Sequence, residues 1–214
     1  MLIAPKQDYK WFNSLLDIIT VCIPLLNHKS IVNCLSTTLY GSIESLKEFV
    51  WQDHFFASLQ WLLPPKFRID SEYPVSHSNL KTESVNFRVA GPSFSGSIEW
   101  LVTEYEWTPE TVKQYIFEHY YRFVKDPTGK YLHKYENIST ESFLVINVSH
   151  KPSNIDIPGK LPGTYAELTV DDLMKNVELH IDGFKIPIEM GKPFIYNFKS
   201  KDKVKPKIII PEGF

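Results

Sequence analysis

The stretch FSGSIEWLVTEYEW, residues 94–107, most restricts what this chain can become. In an extended chain, alternate residues face opposite sides. Ile98, Trp100 and Val102 then point one way, and Leu101, Tyr105 and Trp107 point the other. Apolar groups on both faces imply a central strand covered on both sides. The chain must therefore supply two covering layers, and its 214 residues with 43% apolar content are enough for a sizeable core.

The first third supplies one cover. Asp8 is placed to cap a helix carrying Trp11, Phe12, Leu15, Leu16, Ile19 and Cys22 at helical spacing, which Pro24 ends or kinks. Ser30 is placed to cap a second helix, stopped by Gly41; Ser42 and Asp53 start a third and a fourth. Pro64-Pro65 is a firm stop. Beyond it the apolar period falls to two, at Phe67 and Ile69 and at Val85, Phe87 and Val89. YLHKY and SFLVINVSH continue as strands. Lys151 to Gly163 is a Pro/Gly-rich connection. VELHIDGFKIPI is a hairpin with a type I′ signal at Asp182-Gly183, and PFIYNF and KIIIP follow as strands.

The expected fold class is α+β. A helical N-terminal region of about four short helices (1–65) precedes an antiparallel sheet or sandwich with one inserted helix. The β-rich region spans 66–150 and contains the helix at 109–125, and a hairpin region spans 164–214, all in one compact unit.

The inserted helix, VKQYIFEHYYRFVKD (112–126), sets Glu beside His. Thr108-Pro109-Glu110 is a good helix start, with a cap, a proline at the first position and an acid in the first turn. At about 100° per residue, Val112, Ile116, His119 and Phe123 fall on one line, and Glu118 joins a polar wedge where it can pair with Arg122. Glu118 and His119 therefore point apart, and His119 reads as a buried, hydrogen-bonded histidine. A helix so widely apolar needs cover on more than one side. Phe117 and Tyr121 are the candidates for a second contact, with the N-terminal helices or another subunit; Trp11, Phe55 and Trp61 are further interface candidates.

Bulk properties narrow the partners. The net charge is -2, and arginine occurs only at positions 68, 88 and 122, which argues against a nucleic-acid reader. Aromatics reach 14%, a surplus that subunit interfaces absorb well. Cys22 and Cys34 read as buried free thiols and point to a reducing, intracellular setting, in cytoplasm, host cytoplasm or a virion. The apolar run Trp11–Leu26 is broken by Asn13, Ser14 and Asp17 and is too short to span a bilayer.

The chemical motifs are weak. His180-Ile181-Asp182 places a His and a carboxylate on one strand face, the start of an iron triad, but the other histidines, His133 and His150, precede it. His180, Asp182 and His150 are the candidate metal ligands, and Asp182 is better explained as a turn residue. Asp53 reads as a helix cap beside an exposed His54, and Asp171-Asp172 as a turn or helix start. GPSFSGS departs from G-x-S-x-G and precedes a strand, so it is a turn. Asn147-Val148-Ser149 is a sequon inside an expected strand and carries no weight. Lys199, Lys201, Lys203, Lys205 and Lys207 alternate and, if extended, form a basic stripe for phosphates, an anionic membrane or an acidic partner; the competing reading is a solvated edge strand.

The order of paired helices, strands and GSIEWLVTEYEW feeding a helix resembles the layout of rhabdovirus matrix proteins over at most the first two-thirds of the chain. LLPPKF has the prolines of that family's PPxY motif without the Tyr, and the basic N-terminal arm is missing, so no residue role carries over. The expectation is a non-enzymatic structural or protein-interaction protein, a viral or phage particle assembly component in matrix, capsid or tail, with protein partners or self-association and no cofactor. One alternative is an enzyme or ligand-binding domain with a His-lined, metal-capable site on the β-half. Another is a binder of anionic polymer or peripheral membrane through the lysine stripe.

Overall fold

The computed structural model describes residues 12–36, 48–74, 84–92, 94–103, 106–133, 135, 142–171, 175–197 and 200–204. The fold is α+β, with its helices mainly N-terminal. Helix α1 (Leu15–Cys22) is followed by a 3-10 turn over Ile23–Leu25 that contains Pro24, then by α2 (His28–Ser36) and α3 (Glu48–Leu62). Strands β1 (Arg68–Pro74), β2 (Ser84–Ala90) and β3 (Ser95–Val102) lead to α4 (Pro109–Tyr120). Then come β4 (Ser142–Ser149), β5 (Tyr165–Val170), β6 (Val177–Ile181) and β7 (Phe184–Ile188). A small hairpin, β8 (Ile195–Asn197) and β9 (Asp202–Val204), follows.

Helix starts differ from those the sequence suggests. The α1 cap is Ser14, whose side chain accepts from Asp17 N–H, while Asp17 Oδ2 accepts from Asn13 N–H. This reciprocal pairing satisfies two orphan donors at the start of α1. Asn27 takes the Ser30 N–H, so α2 begins two residues before Ser30. Asp53 is an exposed residue inside α3, because α3 already runs from Glu48; one helix replaces the end of the third and the whole fourth. The positions of Asp8, Trp11, Gly41 and Ser42 lie outside the described residues. The proposed strand YLHKY is irregular at its described positions; it follows the Asp126 turn, where the carboxylate accepts from Thr128, Lys130 and Tyr131 N–H groups.

The seven strands form one sheet in the order β1 to β7. Its outer pairs are antiparallel, but β3–β4 and β4–β5 are parallel, so the sheet is mixed where an antiparallel one was expected. Parallel neighbours need crossover connections. Helix α4 lies in the first crossover, and the Pro/Gly-rich segment 150–164 makes the second. Both pass over the same face: Ile116, Tyr120 and Ile157 share a core with Leu101, Val145 and Tyr165. The opposite face packs on α1 and α3, where Trp100 meets Trp51 and Phe55. Strand β3 is thus buried on both faces, as its pattern requires.

The aromatic surplus fills these two cores. Phe55 is buried against Phe87 and Trp100. Trp61 is half-buried against the same core. Phe117 and Tyr121 are buried on each other and on Tyr131. On α4, Phe117 and Tyr121 make their second contact with Tyr131, within the chain, whereas Phe55 packs from α3 on the opposite face of the sheet. Tyr121 Oη donates to Pro158 O, and Tyr120 Oη accepts from Leu161 N–H, so the helix tyrosines pin the second crossover. Among the described residues no helix is long and apolar enough to cross a membrane.

Trp100 is fully buried whereas Leu132 is 70% exposed. Trp100→Ala is expected to cost about 4 kcal/mol, and Leu132→Ala less than about 0.5 kcal/mol, in urea unfolding.

Candidate functional site

The face under α4 changes character along the strands. Phe143, Val145 and Tyr165 belong to the α4 core, but the next inward positions are Asn147, Ser149, Glu167 and Thr169, all buried. Strand register sets Asn147 opposite Glu167, and Glu167 opposite His180. The polar row therefore lies toward the carboxyl ends of the parallel strands, where the sheet extends past α4.

Two crevices flank this row. The larger, about 380 Å³, lies between the start of α4 and the segment after β4; Thr103, Trp107, Val112, Ser149, His150 and Ser153 line it. The smaller, about 250 Å³, is lined by Tyr165, Glu167, His180, Asp182, Lys160 and Lys185. Pro152 and Ile155 line both, so one short segment is a shared wall. Trp107, with its ring edge-on to Tyr115 at 5.0 Å, gives the larger crevice a flat side.

Glu167 sits between them. Its Oε1 accepts from Ser153 N–H at 2.8 Å, and from Asn147 Nδ2 and Ser149 Oγ at 3.4 Å each. Asn147 Nδ2 also reaches Thr103 Oγ1, which donates to Val148 O. The hydroxyl of Tyr165 lies beside Ser153 and Asn147; burial, then the Glu167 charge, keeps it protonated far above the usual phenol range. Among the described residues, three buried atoms here have no close hydrogen-bond partner beyond this loose mutual approach: Asn147 Oδ1, Ser153 Oγ and Tyr165 Oη.

A second buried carboxylate has a different setting. Glu99, on β3, has a side chain only 3% exposed, and its Oε1 accepts from His119 Nδ1–H at 2.7 Å and Arg122 Nη1 at 2.9 Å. His119 is the hydrogen-bonded histidine expected of the α4 stripe. Arg122 pairs with Glu99 instead of Glu118, which accepts from Gln114 Nε2; the buried acid is the stronger attractor than the solvated wedge. Tyr115 Oη donates to Glu48 at the start of α3, and burial pushes the Glu48 carboxyl up from its ordinary value. This cluster braces β3, α4 and α3, with Arg122 answering the Glu99 charge at Oε1 while Glu99 Oε2 is buried without a hydrogen-bond partner.

The histidines do not converge. His150 lines the larger crevice, His180 the smaller, and His133 neither. His180 Nε2 meets Thr169 Oγ1 at 3.2 Å. Asp182 has φ 47° beside Gly183 at φ 79°, the type I′ geometry, and its carboxylate takes Gly163 N–H and Lys160 Nζ. Among the described residues no group of three His, Cys, Asp or Glu is placed to hold a metal ion. Asp171 accepts from Lys175 and Asn176 N–H groups and is a turn residue.

The lysine alternation is interrupted. Lys201 has φ 60° in the β8–β9 turn with its ammonium over the Phe184 ring, and Lys203 Nζ donates to Pro187 O. Lys199, Lys205 and Lys207 lie outside the described residues. Asn147, Ser149 and Glu167 escape a motif search because their proximity is a product of parallel register, not of spacing.

Family models, curated proteins and solved structures give no match to this chain, so no comparison adds to the likeness of layout with rhabdovirus matrix proteins.

Arg122→Ala leaves the Glu99 charge buried without its cation. It is expected to cost about 3 kcal/mol, while Glu118→Ala stays within about 0.5 kcal/mol; urea unfolding at neutral pH checks both.

Proposed function

We propose that this chain binds a small polar molecule in the crevice over the carboxyl ends of β3 and β4. The observation that carries this reading is the place of the crevice: in open sheets with parallel strands, ligands bind beyond the carboxyl ends. The rest of the site fits. Its 380 Å³ falls in the range of small-molecule sites, roughly 300–1,000 Å³. Trp107, Val112 and Ile155 offer apolar surface, while Thr103, Ser149, His150 and Ser153 offer a few polar groups, the usual mixture of a specific pocket.

Binding fits better than nucleophilic catalysis. An activated serine passes its proton to a base. The single hydrogen of Ser149 Oγ has its shorter contact, 2.9 Å, with the carbonyl of Lys151, and the Glu167 carboxylate is farther off at 3.4 Å. The assembly reading drew on surplus aromatic surface, and the two cores take up Phe55, Phe117 and Tyr121. That moves the weight from a contact face to the crevice.

A thermal-shift screen of polar metabolites tests the proposal on the wild type and on Val112→Arg, which fills the crevice from α4. A ligand at 100 times its Kd adds about 2.7 kcal/mol to stability. At least one compound is expected to raise the Tm of the wild type and not of Val112→Arg, with the chain monomeric in light scattering. No hit, or hits that survive Val112→Arg, overturns the proposal; concentration-dependent oligomers without a hit return the weight to assembly.

A further inference from the structure

We propose that the polar centre around Glu167 is a receptor for the ammonium group of a primary amine. The inference rests on the crevice reading, since the segment that walls the crevice also supplies Ser153 to this centre, and it names the ligand's chemical class.

The first ground is charge. Glu167 is 6% exposed, and its bonds are to an amide, a carboxamide and a hydroxyl, all neutral. A buried carboxylate is costly unless a cation answers it. Glu99 obeys that rule through Arg122. Around Glu167 the nearby cations are committed elsewhere. Lys160 is bound to Asp182 at 3.0 Å, Lys185 to Glu178 at 2.9 Å, and His180 lies 3.5 Å from Glu178. Among the described residues no cation is paired with Glu167. The missing partner is positive.

The second ground is hydrogen bonding. Asn147 Oδ1, Ser153 Oγ and Tyr165 Oη are buried and, among the described residues, have no close hydrogen-bond partner beyond the loose approach of Ser153 and Asn147 to the Tyr165 hydroxyl, although groups of this kind nearly always have close partners. Asn147 is 0% exposed and Tyr165 7%, so neither finds bulk solvent. Asn147 Oδ1 and the Glu167 carboxylate can only accept, and the hydroxyls can accept as well. An ammonium brings three donors and no acceptor. From the smaller crevice it reaches the Glu167 carboxylate, which lines that crevice together with Tyr165. An anion would meet the Glu167 charge, and an alcohol brings only one donor.

The third ground is access. Tyr165 and Glu167 line the smaller crevice and Ser153 the larger, so the centre borders both. A divalent metal fits less well. Such ions favour several oxygen ligands with more than one carboxylate, and this centre has one acid among neutral oxygens.

NMR titration of the full chain with n-propylamine, 1-propanol, propionate, KCl and CaCl2, following the Ser153 and Glu167 amides, tests the inference. Saturable millimolar shifts are expected with propylamine alone. Glu167→Gln should weaken them at least tenfold, and Tyr165→Phe about threefold, in variants whose circular dichroism matches the wild type. Equal response to propanol or propionate, retention in Glu167→Gln, or no response to propylamine overturns the inference, as does a Glu167-dependent response to KCl or CaCl2 alone. If the amine fails while a screened metabolite still depends on Val112, the crevice reading stands and only the amine falls. If the amine binds while no crevice ligand exists, the reverse holds.

Discussion

The rest of the structure depends on burying β3 and β4 on both faces. Ile98 and Trp100 commit one face to α1 and α3, and Leu101 and Val145 commit the other to α4. Two parallel pairings at the sheet centre then demand two crossovers. Both run over one face, and Tyr120 and Tyr121 tie the second to the first. Helix α4 covers only part of the strands. Beyond it the inward face turns polar, and the second crossover bends across that polar row. The crevice is a consequence of this geometry: a helix and a loop cover one face of a sheet without closing over its end.

Two buried glutamates show how differently one fold treats the same side chain. Glu99 is braced: an arginine and a histidine meet one oxygen, so its charge helps fix α4 on the sheet. Glu167 is held only by neutral donors on one oxygen; both sites keep a buried oxygen without a close partner, Glu99 Oε2 in the first and Asn147 Oδ1 in the second, so the cation is what separates them. A folded chain keeps such a costly arrangement where something else completes it. The first cluster braces the fold, and the second is the one proposed to take a ligand.

Much of the fold was legible. Two-faced apolar alternation in SIEWLV reported a covered strand, Thr108-Pro109-Glu110 reported the start of α4, and Asp182-Gly183 reported its turn. Those signals are local, so they survive in one dimension. The Asp53 misreading shows the limit: an acid before an apolar run resembles a cap unless the preceding turn is already helical, as it is from Glu48. Parallel pairing was not legible, because burial of β4 and β5 on both faces does not fix the direction of pairing and YAELTV was not read as a strand. The candidate site went unread with it. Asn147 and Ser149 occurred only as part of a sequon, and Glu167, 18 residues beyond Ser149, became their neighbour through register. The Arg122 pairing was missed for a like reason: the i,i+4 rule offered Glu118, whereas the tertiary partner, Glu99, is 23 residues away.

Among the described residues the Glu167 charge has no cationic counterpart, while that of Glu99 has Arg122. Urea unfolding of Glu167→Gln and Glu99→Gln, without ligand at neutral pH, addresses this contrast directly. Glutamine at 167 keeps one oxygen for the Ser153 N–H, removes the charge and puts an NH2 in place of the second oxygen. The account predicts that Glu167→Gln is as stable as the wild type or more so, and that Glu99→Gln is clearly less stable. Destabilisation of Glu167→Gln equal to that of Glu99→Gln would mean that the free fold already compensates this carboxylate, and would contradict the account.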